Sequence, residues 1–96
     1  MKPAVKTTYM KLKVLVNPNP FTAELAILIS GHFTVNAVLR LINSTGTVIR
    51  VAGYTINSGD NQFKLSNLER YATGAYTLEL KLLNGDLLES IQLVKI

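Results

Sequence analysis

Apolar and polar residues alternate with a period of two along most of the chain, the spacing at which successive side chains leave opposite faces of a β-strand. Met10, Leu12, Val14 and Val16 fall on one side, with Lys11 and Lys13 on the other. After a break over residues 17 to 21, Leu25, Ile27 and Ile29 alternate with Glu24, Ala26, Leu28 and Ser30. Val35, Ala37, Leu39 and Leu41 then alternate with Thr34, Asn36, Val38 and Arg40, and residues 47 to 55 continue as a β-branched stretch. Further strands are predicted roughly over residues 62 to 65, 75 to 83 and 87 to 95, about seven in all. Only residues 65 to 71 show a helical tendency, and a single turn crossing from one sheet to the other accounts for it.

The joints between these segments carry their own chemistry. Asn43-Ser44-Thr45-Gly46 suits a type I turn closed by a glycine with positive φ, a short hairpin loop. Ser58-Gly59-Asp60-Asn61 reads as a second turn. Asn84-Gly85 is the dipeptide favoured in type I′ turns, whose two central residues both need positive φ, so the last two strands are expected to form a tight antiparallel hairpin. Short strands, closely spaced turn signals and no alternation of strand with helix predict an all-β fold, an immunoglobulin-like two-sheet antiparallel sandwich of about seven strands. Its core is expected to take half of each strand, with Phe21, Phe33, Phe63 and Tyr76 as the large fillers.

Composition then narrows the chemistry. A chain of 96 residues makes one small domain. With no Cys and one His it can supply neither a disulfide framework nor a zinc finger's ligands. The longest unbroken apolar run is residues 25 to 29, far short of the roughly 20 needed for a helix to span a bilayer. The net charge of +4 lies in Lys2, Lys6, Lys11 and Lys13, which precede the first acid, and the remainder is balanced. Residues 1–8 therefore read as a flexible basic arm or linker and residues 9–96 as the sandwich, with no secretory signal in the opening segment. Aromatics interleaved with Lys or Arg are missing from the body, so no nucleic-acid partner is expected.

No catalytic group emerges. Asp60 and Asp86 sit in predicted turns, the glutamates sit at outward or strand-end positions, and all are expected to be solvated. His32 follows Gly31 at a turn, and the serines have no nucleophile-elbow context. Asn43-Ser44-Thr45 has the letters of a glycosylation sequon, which its turn chemistry equally explains. Neither an enzyme activity, a cofactor nor a metal is expected.

Taken in order, the motifs resemble one family, the C-terminal sorting domain (type A) of proteins secreted by the type IX system of Bacteroidetes. Pro18, Asn19, Pro20 and Phe21 stand where that family closes its opening strand. Gly46 ends the turn after the strand that the family closes with Asp-x-x-Gly, and Gly74 and Tyr76 match its Gly-x-Tyr strand. Gly85 falls in its closing hairpin, and Leu93, Val94 and Lys95 in its basic-apolar end. Asn17, Asn43 and Gln92 depart from its usual Tyr, Asp and Lys. Each motif also has a structural meaning: Pro18 and Pro20 cannot donate to a ladder and stop the first strand, Phe21 can plug the core, and Tyr76 can form a tyrosine corner.

The resemblance implies a delivery role. Such a domain directs an attached N-terminal cargo, through the periplasm, to the type IX outer-membrane translocon, and a sortase-like peptidase commonly removes it, here expected within residues 2 to 9. The cargo ends at the cell surface or outside. The alternative is an immunoglobulin-like accessory or adhesion module that binds a carbohydrate or protein through an exposed sheet face. A weaker third reading has the lysine arm binding anions.

Overall fold

The computed structural model describes residues 12–96. The expected arm over residues 1–8, and Met10 and Lys11 of the first expected strand, lie outside them. Seven strands follow one another: β1 (Lys13–Asn17), β2 (Leu25–Gly31), β3 (Val35–Asn43), β4 (Val48–Ile56), β5 (Gly59–Leu65), β6 (Gly74–Leu82) and β7 (Leu87–Lys95). They form two antiparallel sheets, β1-β2-β5 and β4-β3-β6-β7. This is the seven-stranded sandwich that the alternation predicts, with β3–β4 and β6–β7 as hairpins and the chain changing sheets after β2, β4 and β5.

The period-two pattern becomes the core. Leu25, Ile27 and Ile29 point inward from one sheet, while Ala37, Leu39, Leu41, Leu78, Leu80 and Leu93 point inward from the other. Register keeps them in rows, Leu39 beside Leu80 and Leu41 beside Leu78. Burying each Leu or Ile side chain contributes about 1.5–3 kcal/mol before the entropy of ordering is subtracted. Phe21 and Tyr76 fill the core as expected, and Phe63 is half-buried, stacked on Tyr54 with ring centroids 3.9 Å apart. Phe33 does not fill it: the residue lies in the β2–β3 connection and is 53% exposed. Leu68 enters the core instead, held from the β5–β6 connection by its N–H donating to the Ala23 carbonyl at 2.8 Å.

The turns agree with expectation once and differ twice. In the β3–β4 hairpin, the Asn43 N–H donates to Thr47 O at 2.9 Å and the Gly46 N–H donates to Asn43 O at 3.0 Å, with Gly46 at φ 88°. The β6–β7 hairpin uses the same loop rather than the expected type I′ turn: Leu82 N–H donates to Asp86 O and Gly85 N–H to Leu82 O, both at 2.9 Å. Only Gly85 has positive φ there, because the Asn84 side chain folds forward to accept from the Asp86 N–H at 2.9 Å and its backbone keeps an ordinary conformation.

The Ser58-to-Asn61 turn is also corrected. Gly59, Asp60 and Asn61 belong to β5, paired with Gly31, Ser30 and Ile29, and the connection shrinks to Asn57 and Ser58. Asn61 replaces the missing turn with its buried side chain. Its Oδ1 accepts from Asn57 N–H at 2.9 Å, and its Nδ2 donates to Asn57 O at 2.9 Å and Ile29 O at 3.1 Å. Residues 65 to 71 hold no helix; a turn closed by Tyr71 N–H on Leu68 O at 3.1 Å makes the crossing between sheets.

The acids largely follow expectation, Asp60 accepting from Ser30 at 2.8 Å and Glu24 lying 3.4 Å from Lys64. Glu79 departs from it. Mid-strand on β6, it faces Arg40 of β3 at 3.7 Å, and its Oε1 is shielded from solvent by that crowding.

Candidate recognition end of the sandwich

Residues 18–21 leave β1 after Asn17 pairs with Ala26 and cross to the other sheet. Pro18 and Pro20 have no N–H to continue the ladder. Both follow cis peptide bonds. The segment meets β7, the edge strand of the four-stranded sheet. Asn19 Nδ2 donates to Gln92 O at 3.2 Å and Asn19 Oδ1 accepts from Val94 N–H at 3.0 Å. Two residues on, Phe21 N–H donates to Val94 O and Ile96 N–H donates to Phe21 O, each at 2.9 Å, a short parallel bridge. One side-chain amide and one backbone unit thus occupy the outward hydrogen-bonding groups at the end of β7. An open edge is a template for unwanted pairing, so this strap both protects the edge and ties the two sheets together.

The ring of Phe21 continues the tie inward. It is 1% exposed and meets Tyr76 edge to face, centroids 5.8 Å apart with an interplanar angle of 67°. The Tyr76 hydroxyl donates to the Ala72 carbonyl, the tyrosine-corner arrangement at the entry to β6. Tyr76 pairs with Leu93 on one side and Asn43 on the other, and Gly74 pairs with Lys95. Gly74 has φ 140°, a conformation that side-chain-bearing residues rarely adopt, so the strand can begin there only with glycine at little cost.

The structure therefore gathers Pro18, Asn19, Pro20, Phe21, Gly74, Tyr76, Leu93, Val94 and Lys95 at one end of the sandwich. Gly46 tips the β3–β4 hairpin at that same end, since Asn43 lies beside Tyr76. Gly85 sits apart, in the hairpin at the opposite end. Of the last residues, Leu93 and Lys95 turn inward, at 1% and 6% exposure, whereas Val94 and Ile96 turn out, at 47% and 64%. What this end offers a partner is an apolar outer pair on a backbone already hydrogen-bonded to the strap.

Asn43 works through its side chain as well. Its Oδ1 accepts from Thr45 N–H at 3.1 Å, Thr45 Oγ1–H at 2.8 Å and Thr47 N–H at 2.9 Å, so the sequon letters spell a turn organised by the Asn43 side-chain oxygen. On the seam between β4 and β5, Arg50 Nη1 donates to Ser66 O at 2.8 Å, Tyr71 O–H donates weakly to Ile49 O at 3.4 Å, and the Arg70 guanidinium lies 5.4 Å from the Tyr71 ring centre. A hydrogen bond from Arg70 holds the Tyr71 phenol below the ordinary tyrosine value. Partial burial opposes that shift, while a hydrogen bond from Arg50 and the charge of both arginines add to it. Arg70 is raised in turn by the same phenol. The depressed phenol stabilises the fold fully only above the ordinary tyrosine value of about 10, and that contribution is lost as pH falls through the lowered value.

His32 is exposed in the β2–β3 connection, and no group of three or more His, Cys, Asp or Glu among the described residues is placed to hold a metal ion. Sequence reasoning found the strap residues by motif but not their bonds to β7, which join residues 73 and 75 apart in the chain. It missed the contacts of Arg50 with Ser66 and of Tyr71 with Ile49, because those residues form no motif and meet only through the β5–β6 crossing.

Replacing Asn19 with alanine is expected to leave the sandwich folded and cost about 1–2 kcal/mol, two partly exposed hydrogen bonds at roughly 0.5–1.5 kcal/mol each and partly regained from water. The sharper readout is amide hydrogen exchange, in which Val94 N–H loses protection while Phe21 N–H keeps most of its own. Equal Val94 protection in both proteins would mean that Asn19 does not close the edge.

Comparison with known protein families gives an assignment that spans most of the chain. A model of the family described as the secretion system C-terminal sorting domain matches residues 15–93. No curated protein matches the chain in sequence.

Proposed function

The chain belongs to the secretion system C-terminal sorting domain family, the sorting signals of type IX secretion, and from that premise we propose that it is the address of a larger exported protein. Domains of this kind mark proteins for export to the cell surface or the extracellular space. In our reading, residues 9–96 are the address, and residues 1–8 link it to an N-terminal cargo that passes through the periplasm. The type IX outer-membrane translocon receives the folded sandwich, and a sortase-like peptidase cuts within residues 2 to 9. The domain itself does no chemistry. The family match over residues 15–93 carries this reading, and the gathering of the motif residues at one end supports it.

That end is the surface we assign to recognition, built from Pro18, Asn19, Pro20, Phe21, Gly74, Tyr76, Leu93, Val94 and Lys95, with Gly46 beside it. Phe21, Tyr76, Leu93 and Lys95 act by shaping it, because their side chains are buried. Val94 and the strap are what a partner would touch. Gly85 serves the far hairpin and the fold. An accessory sugar-binding face is less well supported, since Tyr54 and Phe63 stack on each other and Tyr76 is in the core.

Fusing residues 9–96 to a periplasmic reporter in a bacterium with a working type IX system tests the proposal. The reporter is expected in the medium or on the surface, and to stay periplasmic without the fusion or in a strain lacking the translocon. Retention of the fused reporter in the periplasm, with the domain folded, would refute the delivery role.

A further inference from the structure

The four-stranded sheet has two edges that are built alike and finished differently. β3–β4 and β6–β7 turn through the same loop, Asn43 N–H donating to Thr47 O in one and Leu82 N–H to Asp86 O in the other. Each outer strand then carries one extra residue, Ile49 on β4 and Leu88 on β7. The hydrogen-bonding groups alternate sides along a strand, so these loops set the direction of every main-chain group that follows. On β7 the residues opposite Tyr76, Leu78 and Leu80 point back to β6, and Gln92 and Val94 point out, where the strap bonds Gln92 O, Val94 N–H and Val94 O. On β4 the residues opposite Ala37, Leu39 and Leu41 point back to β3 by the same count, and Val51, Gly53 and Thr55 point out. Among the described residues, no hydrogen bond reaches the outward main-chain groups of these three. The β5–β6 crossing covers β4 only at its start, through Ile49 O and the Arg50 side chain.

Natural sheets blunt their edges with charge, proline or a covering segment. β7 has the strap, β5 carries Asp60 and Lys64, and β1 ends at Pro18. Residues 51–55, Val-Ala-Gly-Tyr-Thr, have no such protection. Val51 is 63% exposed, and a Cβ built on Gly53 would meet nothing nearer than Ala37 O at 4.0 Å.

We propose that the β4 edge is an interface between two copies of this chain, paired antiparallel about a two-fold axis at Gly53. The stretch is complementary to itself. That axis sets Gly53 against its counterpart and Val51 against Thr55 of the second copy, twice by symmetry, and these are the residues whose main-chain groups point outward. Val51 and Thr55 are both β-branched and stand on one face, a favourable cross-strand pair, while glycine on the axis leaves no side chain to clash with its own copy. Arg50, the nearest charge, falls opposite Ile56 of the second copy, and its guanidinium is already held on Ser66 O at 2.8 Å, so no like charges meet. This symmetric chemistry favours a second copy over an unrelated strand. The two four-stranded sheets then run on as one. β4 lies across the sheet from the strap, so pairing leaves the address surface open, and its failure leaves the export proposal intact.

Sedimentation velocity of the full chain, from the micromolar range to about 1 mM, the weak end of specific association, tests the pairing. A concentration-dependent monomer–dimer equilibrium is expected, with the Val51, Gly53 and Thr55 amides gaining protection from hydrogen exchange as the dimer forms. Val51→Lys combined with Thr55→Lys sets lysine against lysine at both symmetric positions and is expected to weaken dimerisation about tenfold. Val51→Lys combined with Thr55→Glu sets each lysine against a glutamate of the second copy and is expected to dimerise at least as well as the parent. Both positions are exposed, so both variants are expected to keep the parent's circular dichroism. A chain that stays monomeric throughout overturns the self-pairing, as does a dimer whose newly protected amides lie on β1 or β5. Equal affinities of the two double variants overturn the register centred on Gly53.

Discussion

A Phe21→Ala protein is expected to be destabilised by about 3–5 kcal/mol, the cost of deleting a fully buried aromatic ring. For a domain of this size that is a large part of a total stability of roughly 5–15 kcal/mol, and it lowers the melting temperature by roughly 12 °C or more. The ring fills the core end between the two sheets, packs edge to face on Tyr76, and brings with it the backbone unit that bonds Val94 O and Ile96 N–H. Removing it leaves a cavity where the strap enters, and the strap's own anchoring residue is then a methyl group. Tyr76→Phe is the contrast. It keeps the ring and removes only the hydroxyl that donates to Ala72 O, so about 1–2 kcal/mol is expected. Urea denaturation of both variants with an unchanged dependence on denaturant checks the pair. A Phe21→Ala protein that melts within a few degrees of the parent would show that the strap, not the ring, holds this end.

Most of the fold is legible because an exposed β-face and a buried one differ by a single residue of phase. Leu25, Ile27 and Ile29, or Leu39 and Leu41, could face the core in only one register, and the structure places them there. Position in the strand also governs the least obvious side chain: Lys95 follows Leu93 by two and so turns inward with it. Alternation is silent where the chain leaves a strand. Leu68 enters the core from a connection, and Phe33, equally apolar and also in a connection, stays out.

Turns are legible by composition and misread in detail for a different reason. Asn84-Gly85 satisfies two loop types, and the choice is made by the Asn84 amide, which bonds forward to Asp86. Asn61 reads as a turn residue and acts as one, but through its side chain while its backbone sits in β5. The recognition end is legible only as a set of motifs. No local pattern says that Asn19 meets Gln92 and Val94, because the contact is made by the sandwich closing, not by neighbouring residues.

Deleting residues 93–96 is expected to abolish both folding and export, and the structure explains why those two losses must be separated. The deletion removes Leu93 from the core, Lys95 from beside Gly74, the backbone partners of Phe21 and the Val94 amide bound by Asn19. A chain so shortened loses a core side chain worth about 2–5 kcal/mol together with the main-chain closure of the strap, more than a small domain can lose and stay cooperative. Reporter retention in the periplasm would then report an unfolded domain as readily as a missing signal. Val94→Glu separates the two, because Val94 is 47% exposed and its strap contacts are made by the backbone alone. That variant is expected to melt within a few degrees of the parent and still to lose most export, since it puts charge on the apolar outer face of the terminal strand. Export of the Val94→Glu fusion at the parent's level would remove the exposed terminal side chains from the address, and export of the truncated fusion would remove the whole terminal segment.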